Sequence, residues 1–188
     1  MQRILVLGAK EIDFSRIINV THSVLNKPDF GSGCLWGSTL IKYSSCNIGS
    51  SWKEYVANIY EDKDFDYGVS FKLHKNSKIL EIANLNDYKN IMKQYSCLAN
   101  HYDSKYCLDF VKISKEYDAF HLTEDAFWSM RLPMFNNPAC ELYDLNYDNF
   151  YSYDAESWII FNLNAINKGS ILNHNNVVAS WEGEYDEE

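Results

Sequence analysis

The chain has 188 residues, 46% of them hydrophobic and 23% charged, with a formal net charge of −9. This length suits one domain that buries a core without disulfide staples, and the composition excludes a disordered chain. The negative balance argues against a broad grip on nucleic acid, which needs clustered Lys and Arg; Lys72, Lys75 and Lys78 form only a thin patch, read first as a solvated strand–turn surface. Five cysteines, an odd count without a CxxC, read as reduced thiols and not as a disulfide framework or a metal site. The first apolar run is too short for a signal peptide, and no apolar stretch approaches the roughly 18 residues of a membrane span. The expectation is a cytoplasmic protein, or one delivered into a host cytoplasm.

In chain order, residues 3–7 read as a strand closed by Gly8, whose single glycine excludes a dinucleotide fingerprint. Residues 17–22 read as a second strand and 34–40 as a third, with Gly31 and Gly33 in the loop between. A helix is predicted from Ser51: Trp52, Tyr55, Val56, Ile59 and Tyr60 make one apolar stripe, and Ser51 to Glu54 has capping-box spacing. Val69, Phe71 and Leu73 alternate as in a half-buried strand, and 78–82 read as the next. Asn86 is placed as the cap of a helix carrying Tyr88, Ile91, Met92 and Tyr95. Further expectations are a helix over 106–114, a strand over 117–122, a helix capped by Thr123, a strand over 157–161 and a last one over 175–181. Short strands and few helices, without regular βαβ alternation, point to α+β. One domain over 1–181 would precede an acidic tail, 182–188.

Aromatic residues reach 15%, including 14 Tyr and 5 Trp. Tyr55, Tyr60, Tyr88 and Tyr95 fall on helix stripes and are expected in the core. Trp36 lies beside the Gly-rich loop. Tyr143, Tyr147, Phe150, Tyr151 and Tyr153 crowd ahead of Glu156, where they suit a cleft.

Three segments carry candidate chemistry: Thr21-His22-Ser23, the loop and strand from Gly31 to Thr39, and Asp154-Ala155-Glu156 opening an apolar strand that ends Phe161-Asn162. Singly, each is more often structural: a satisfied His, a turn, a solvated strand end. Their order resembles the mono-ADP-ribosyltransferase superfamily of bacterial toxins and poly-ADP-ribose polymerases, over residues 17–166. The segment 68–87 also fits the middle of such domains. The resemblance implies a split β-sandwich with peripheral helices, NAD as co-substrate, and transfer of ADP-ribose to a macromolecular acceptor, read as a protein before nucleic acid, with no metal and no membrane. It places His22 and Ser23 on NAD, and Glu156 on the nicotinamide ribose with the positive charge that develops there. It sets Asp154 beside the acceptor, with Tyr151 and Tyr153 in an acceptor-recognition loop. Gly33, Trp36 and Ser38 fall in the cofactor-binding middle motif. The chain departs from the usual motif there, leaving open whether Leu35, Trp36, Ser38 or Thr39 fills its key position: Trp36 would stack on nicotinamide, or Ser38 would brace Glu156.

Two other readings compete. One is a non-catalytic acidic inhibitor, for example phage or mobile-element encoded, that presents negative charge to a basic partner. The other is a papain-like cysteine hydrolase using Cys34, with His101, His121 or His174 as base. A metal site at Asp118 and His121 is disfavoured, because three residues along a strand put the two on opposite faces.

Overall fold

The alternating segments do become strands. A computed structural model describes residues 2–45, 47–59, 65–99, 105–131, 145–148, 150 and 153–180. In chain order the elements are β1 (Ile4–Leu7), β2 (Ser23–Val24), β3 (Lys27–Pro28), β4 (Leu35–Thr39), β5 (Ile41–Lys42), β6 (Ile48–Gly49), α1 (Ser51–Ile59), β7 (Gly68–Phe71) and β8 (Ile79–Ile82). Then follow α2 (Leu85–Tyr95), β9 (Ser96–Leu98), β10 (Tyr106–Leu108), α3 (Phe110–Glu116), β11 (Ala119–Leu122), α4 (Glu124–Arg131), β12 (Ser157–Ile160) and β13 (Leu172–His174). The fold is α+β: among the described residues, one seven-stranded mixed sheet, ordered β13-β7-β1-β4-β12-β11-β8, with three two-stranded ribbons and four helices. Within this sheet, among the described residues, β8 and β11 are the one parallel pair.

The sheet is apolar on both faces. Leu80, Ile82, Phe120, Leu122 and Ile159 face α2, α3 and α4 through Tyr88, Met92, Phe110, Ile113, Phe127 and Met130. The other face packs Ile4, Val6, Phe71, Trp158 and Ile160 under the C-terminal turns, through Leu163, Ala165 and Ile166. A sheet covered on both faces needs apolar residues at both parities, which is why β11 and β12 read as unbroken buried runs.

Strand β4 changes partner along its length. Leu35, Trp36 and Gly37 pair with β12, whereas Ser38 and Thr39 pair with Leu5 and Ile4 of β1. Beyond Leu5 the ladder between β1 and β4 is not continued, so the sheet opens between Leu7 and Trp36. Gly37 stands at the parting, where a Cβ would lie 2.6 Å from the Leu5 carbonyl oxygen.

Several expectations are corrected. Residues 17–22 form no strand: Ile17 is 84% exposed, and the segment is tied by Asn19 N–H to the Ser32 carbonyl. A β-branched run forms a strand only if a neighbouring strand satisfies its backbone. Residues 106–108 are strand β10, and α3 starts after Asp109, whose carboxylate accepts from Lys112 N–H. Asn84, not Asn86, caps α2, accepting from the amides of Asn86 and Asp87. Ser50, not Ser51, closes the first turn of α1: its hydroxyl accepts from Lys53 N–H and its carbonyl from Glu54 N–H. The last strand is 172–174, ahead of the expected 175–181. The acidic tail falls outside the described residues.

Candidate functional site

Strand β12 ends its pairing with β4 at Trp158 opposite Gly37. Extending that register by two residues sets Glu156 opposite Thr39. There the glutamate side chain takes the place of the missing backbone partner: Oε2 accepts from Thr39 N–H at 2.8 Å and Oε1 from the Thr39 hydroxyl at 2.7 Å. That hydroxyl in turn accepts from Trp158 Nε1–H at 3.0 Å, so its single hydrogen is left for Glu156. The residue is 4% exposed. A buried carboxylate persists only when hydrogen-bonded or paired, and these contacts supply that.

The pairing does not end at Thr39. Glu81, His121, Trp158 and Gly37 stand side by side across β8, β11, β12 and β4. His121 stacks on Trp158, with ring centroids 3.9 Å apart and planes 12° from parallel. Its Nε2 lies 2.7 Å from Glu156 Oε1 and its Nδ1 2.8 Å from Glu81 Oε2.

Among the described residues, two hollows adjoin this corner and a third lies beside Trp36. The opening between β1 and β4 is a cleft of about 520 Å³, walled by Leu5, Leu7, Trp36, Trp52, Val56 and Asp154. A smaller cavity of about 140 Å³ shares Tyr55 and Asp154 with it and reaches Glu156. On the far side of Trp36, a hollow of about 540 Å³ is bounded by Arg16, Lys27 and the Gly31–Gly33 loop. Lys27 Nζ stands 5.1 Å from the Tyr153 ring centre and 5.9 Å from that of Trp36. Burial pushes the Lys27 ammonium below its ordinary range, and the Asp154 carboxylate opposes that shift.

The sequence-predicted residues divide. Glu156, Asp154 and Trp36 are brought together along these hollows. Gly33 edges the outer one, and its positive φ of 73° and a Cβ position 2.5 Å from the Ile17 carbonyl oxygen require glycine. His22 is exposed in the loop before β2, its ring against the Thr21 hydroxyl at 3.0 Å, and no hydrogen bond joins it to Glu156. That loop is clasped by Asp29: burial alone would raise this carboxyl, but the amides of Thr21 and His22 hold it below the ordinary range. Ser23 spends its hydroxyl accepting from Phe110 N–H at 2.7 Å. Tyr151 lies outside the described residues.

Two expectations change. The brace on Glu156 comes from Thr39; the Ser38 hydroxyl is buried and has no hydrogen-bond partner among the described residues. Tyr153 is not in an acceptor loop. It is 1% exposed, and its hydroxyl donates to the Asn26 carbonyl at 2.6 Å. The described members of the aromatic crowd ahead of Glu156 pack into the core: Phe150 edge-on against Tyr88 and Tyr153, and the partly buried Tyr147 against Tyr88, while Tyr143 lies outside the described residues. The helix stripe moves the other way, because Trp52 and Tyr55 wall the cleft.

The cysteine-hydrolase reading loses its nucleophile. Cys34 is buried, and desolvation pushes its thiol up to about 11. His121 is held by two glutamates and His174 by Ser70, while His101 lies outside the described residues. No group of three His, Cys, Asp or Glu side chains among the described residues could hold a metal ion.

Sequence reasoning missed Glu81, Arg16 and Lys27, and weighed His121 only as a hydrolase base or a metal ligand, not as a neighbour of Glu156. One signal was available: His121 is the single polar residue of a fully buried strand, Ala119–Leu122, and such a group needs buried partners.

Comparison of the chain with protein-family models, with curated proteins and with solved structures finds no match. No helix among the described residues is long and apolar enough to cross a membrane.

Proposed function

We propose that this chain is an NAD-dependent ADP-ribosyltransferase with Glu156 as its catalytic carboxylate. The observation that carries the reading is the braced, buried Glu156 beside the opening of the sheet. An ionised carboxylate offers about four acceptor sites, of which Thr39 and His121 take three. One lone pair remains for the 2′-hydroxyl of the nicotinamide ribose.

In this reaction the bond between C1′ of that ribose and the nicotinamide nitrogen breaks. The electron pair leaves with nicotinamide, which departs neutral, and an oxocarbenium-like charge grows on the sugar. A fixed carboxylate facing that charge stabilises it without reorganising at the moment of reaction. Asp154, half-buried between the cleft and the cavity, is placed to take the proton of the attacking acceptor. Trp36 and Trp52 offer flat apolar walls for the nicotinamide ring. Arg16 and Lys27, in the hollow beside Trp36, supply positive charge for the pyrophosphate, and the partial opening between β1 and β4 within the seven-stranded sheet supports the proposed split β-sandwich. A protein acceptor and a cytoplasmic setting belong to the same proposal.

Incubation with NAD labelled in its adenylate half tests this. Release of nicotinamide and label transfer are expected from the wild type and not from Glu156→Ala. Equal turnover by both would remove Glu156 from the mechanism. A second reading, the acidic binding protein, is favoured by the saturation of Glu156 Oε1, held by both Thr39 and His121. It predicts no heat of NAD binding to a folded chain.

A further inference from the structure

We propose that His121 is a positioning residue for Glu156, oriented for that task by Glu81 and Trp158. The proposal rests on the transferase reading above and extends it to residues that take no part in the chemistry. Three observations carry it.

The first is orientation. Trp158 fixes the plane of the imidazole by stacking and, through its own Nε1–H, fixes the hydroxyl of Thr39 that binds the same carboxylate oxygen. One indole therefore sets both hydrogen bonds to Glu156 Oε1. Rotation of the carboxylate would break three contacts together.

The second is the hydrogen count. Both ring nitrogens face carboxylate oxygens, at 2.7 and 2.8 Å. A carboxylate only accepts, so each contact needs its own hydrogen. Either the ring carries two N–H groups or one of the glutamates holds a proton. The row is thus linked by protons from Glu81, half of whose side chain is exposed, through the buried ring to Glu156.

The third is charge. The cavity behind Glu156 is lined by Glu54, Glu124 and Asp154 as well, and among the described residues by no Lys or Arg. Glu54 accepts from the Tyr43 hydroxyl and from Ser180 N–H, and Glu124 from the Ser51 hydroxyl. Among the described residues, His121 is the one hydrogen-bond partner of Glu156 able to carry positive charge.

The test uses the full chain and two independent readouts. In ring-15N-labelled protein, the His121 signals, assigned by their loss in His121→Gln, are expected to show hydrogens on both contacts. The Nε2 signal should shift in Glu156→Gln and the Nδ1 signal in Glu81→Gln. Ring signals unmoved by either substitution overturn the proposal, and this arm does not depend on turnover. In NAD cleavage, His121→Phe is expected to lower kcat about tenfold to a hundredfold, the scale for misplacing a catalytic group. The KM for NAD should stay within about threefold, because ground-state binding is untouched. His121→Gln, whose amide can donate to Glu156, should recover part of the loss. A folded His121→Phe with wild-type kcat overturns the proposal; where that variant does not fold, Glu81→Gln at the exposed end carries the same comparison, with a smaller fall in kcat expected. A wild-type chain that never cleaves NAD sinks the transferase reading, and the ring spectrum still decides whether His121 holds Glu156.

Discussion

Asn26 and Glu156 each anchor a buried polar cluster, and the two differ in how their hydrogen bonds balance. Asn26, at a left-handed φ of 48° in the two-residue turn between β2 and β3, is fully matched. Its amide donates to the Tyr88 hydroxyl and the Asp148 carbonyl, its Oδ1 accepts from Leu108 N–H, and its own carbonyl accepts from Tyr153. Tyr88 completes the set by donating to the Asp148 carbonyl at 2.6 Å. Burial pushes both tyrosine hydroxyls well above their ordinary range, which keeps those two donors protonated. Around Glu156 acceptors outnumber donors, the groups are ionisable, and a cavity adjoins. Amide and hydroxyl groups matched in this way specify one packing of the chain. A charged cluster with a spare lone pair is suited to a substrate.

Substitutions should separate the two clusters. The largest effect is expected from Glu156→Gln, with NAD turnover down about a hundredfold or more, the scale for losing one preorganised electrostatic group. Its urea midpoint should move little, since the amide can still accept at Oε1 and removal of a buried charge offsets a lost contact. A collapse in stability with turnover intact would reverse the comparison. Asn26→Leu should act the opposite way. It strands Leu108 N–H and removes a donor to the Asp148 carbonyl, at roughly 1–3 kcal/mol for each buried group left unmatched, about 3 kcal/mol in all. Equilibrium unfolding measures this, and a change below the error of the method would show that the cluster is not structural.

Tyr153→Phe is a smaller version of the same test. Loss of its bond to the Asn26 carbonyl should cost about 1 kcal/mol, the usual net worth of one hydrogen bond. Turnover should be unchanged, whereas a specific loss of transfer to the acceptor would return Tyr153 to the site. The mildest test is chemical. Beside the Asn26 cluster, Cys97 and Cys107 face each other with sulfurs 3.6 Å apart. The hydrogen bond from Cys107 lowers Cys97 to about 7 against the opposing effect of burial, while Cys34 stands near 11. The thiolate is the nucleophile, so alkylation of Cys97 should rise as pH climbs through about 7, well before Cys34 reacts. Mass spectrometry of the labelled peptides reads the order, and earlier labelling of Cys34 would contradict its burial.

What was legible in the sequence follows from local physics. Alternation and unbroken apolar runs located β1, β4, β7, β8, β11 and β12, because side chains alternate faces along a strand whatever its partners. The stripe of α1 was legible as apolar but not as the wall of a cleft, since a stripe records only that a face avoids water. The run 17–22 misled because its strand propensity met no neighbouring strand. Glu156 was legible as a carboxylate opening a buried strand. Its brace at Thr39 instead of Ser38 depends on the register between β12 and β4, which pairs residues about 120 positions apart. Lateral pairing of β8, β11 and β12 likewise decided that Glu81 and His121 share the site. By itself the sequence determined an acidic, aromatic-rich α+β chain and the positions of its main strands. Only the tertiary structure decided which parity faces the cleft, because hydrogen bonds between distant strands bring those side chains within reach.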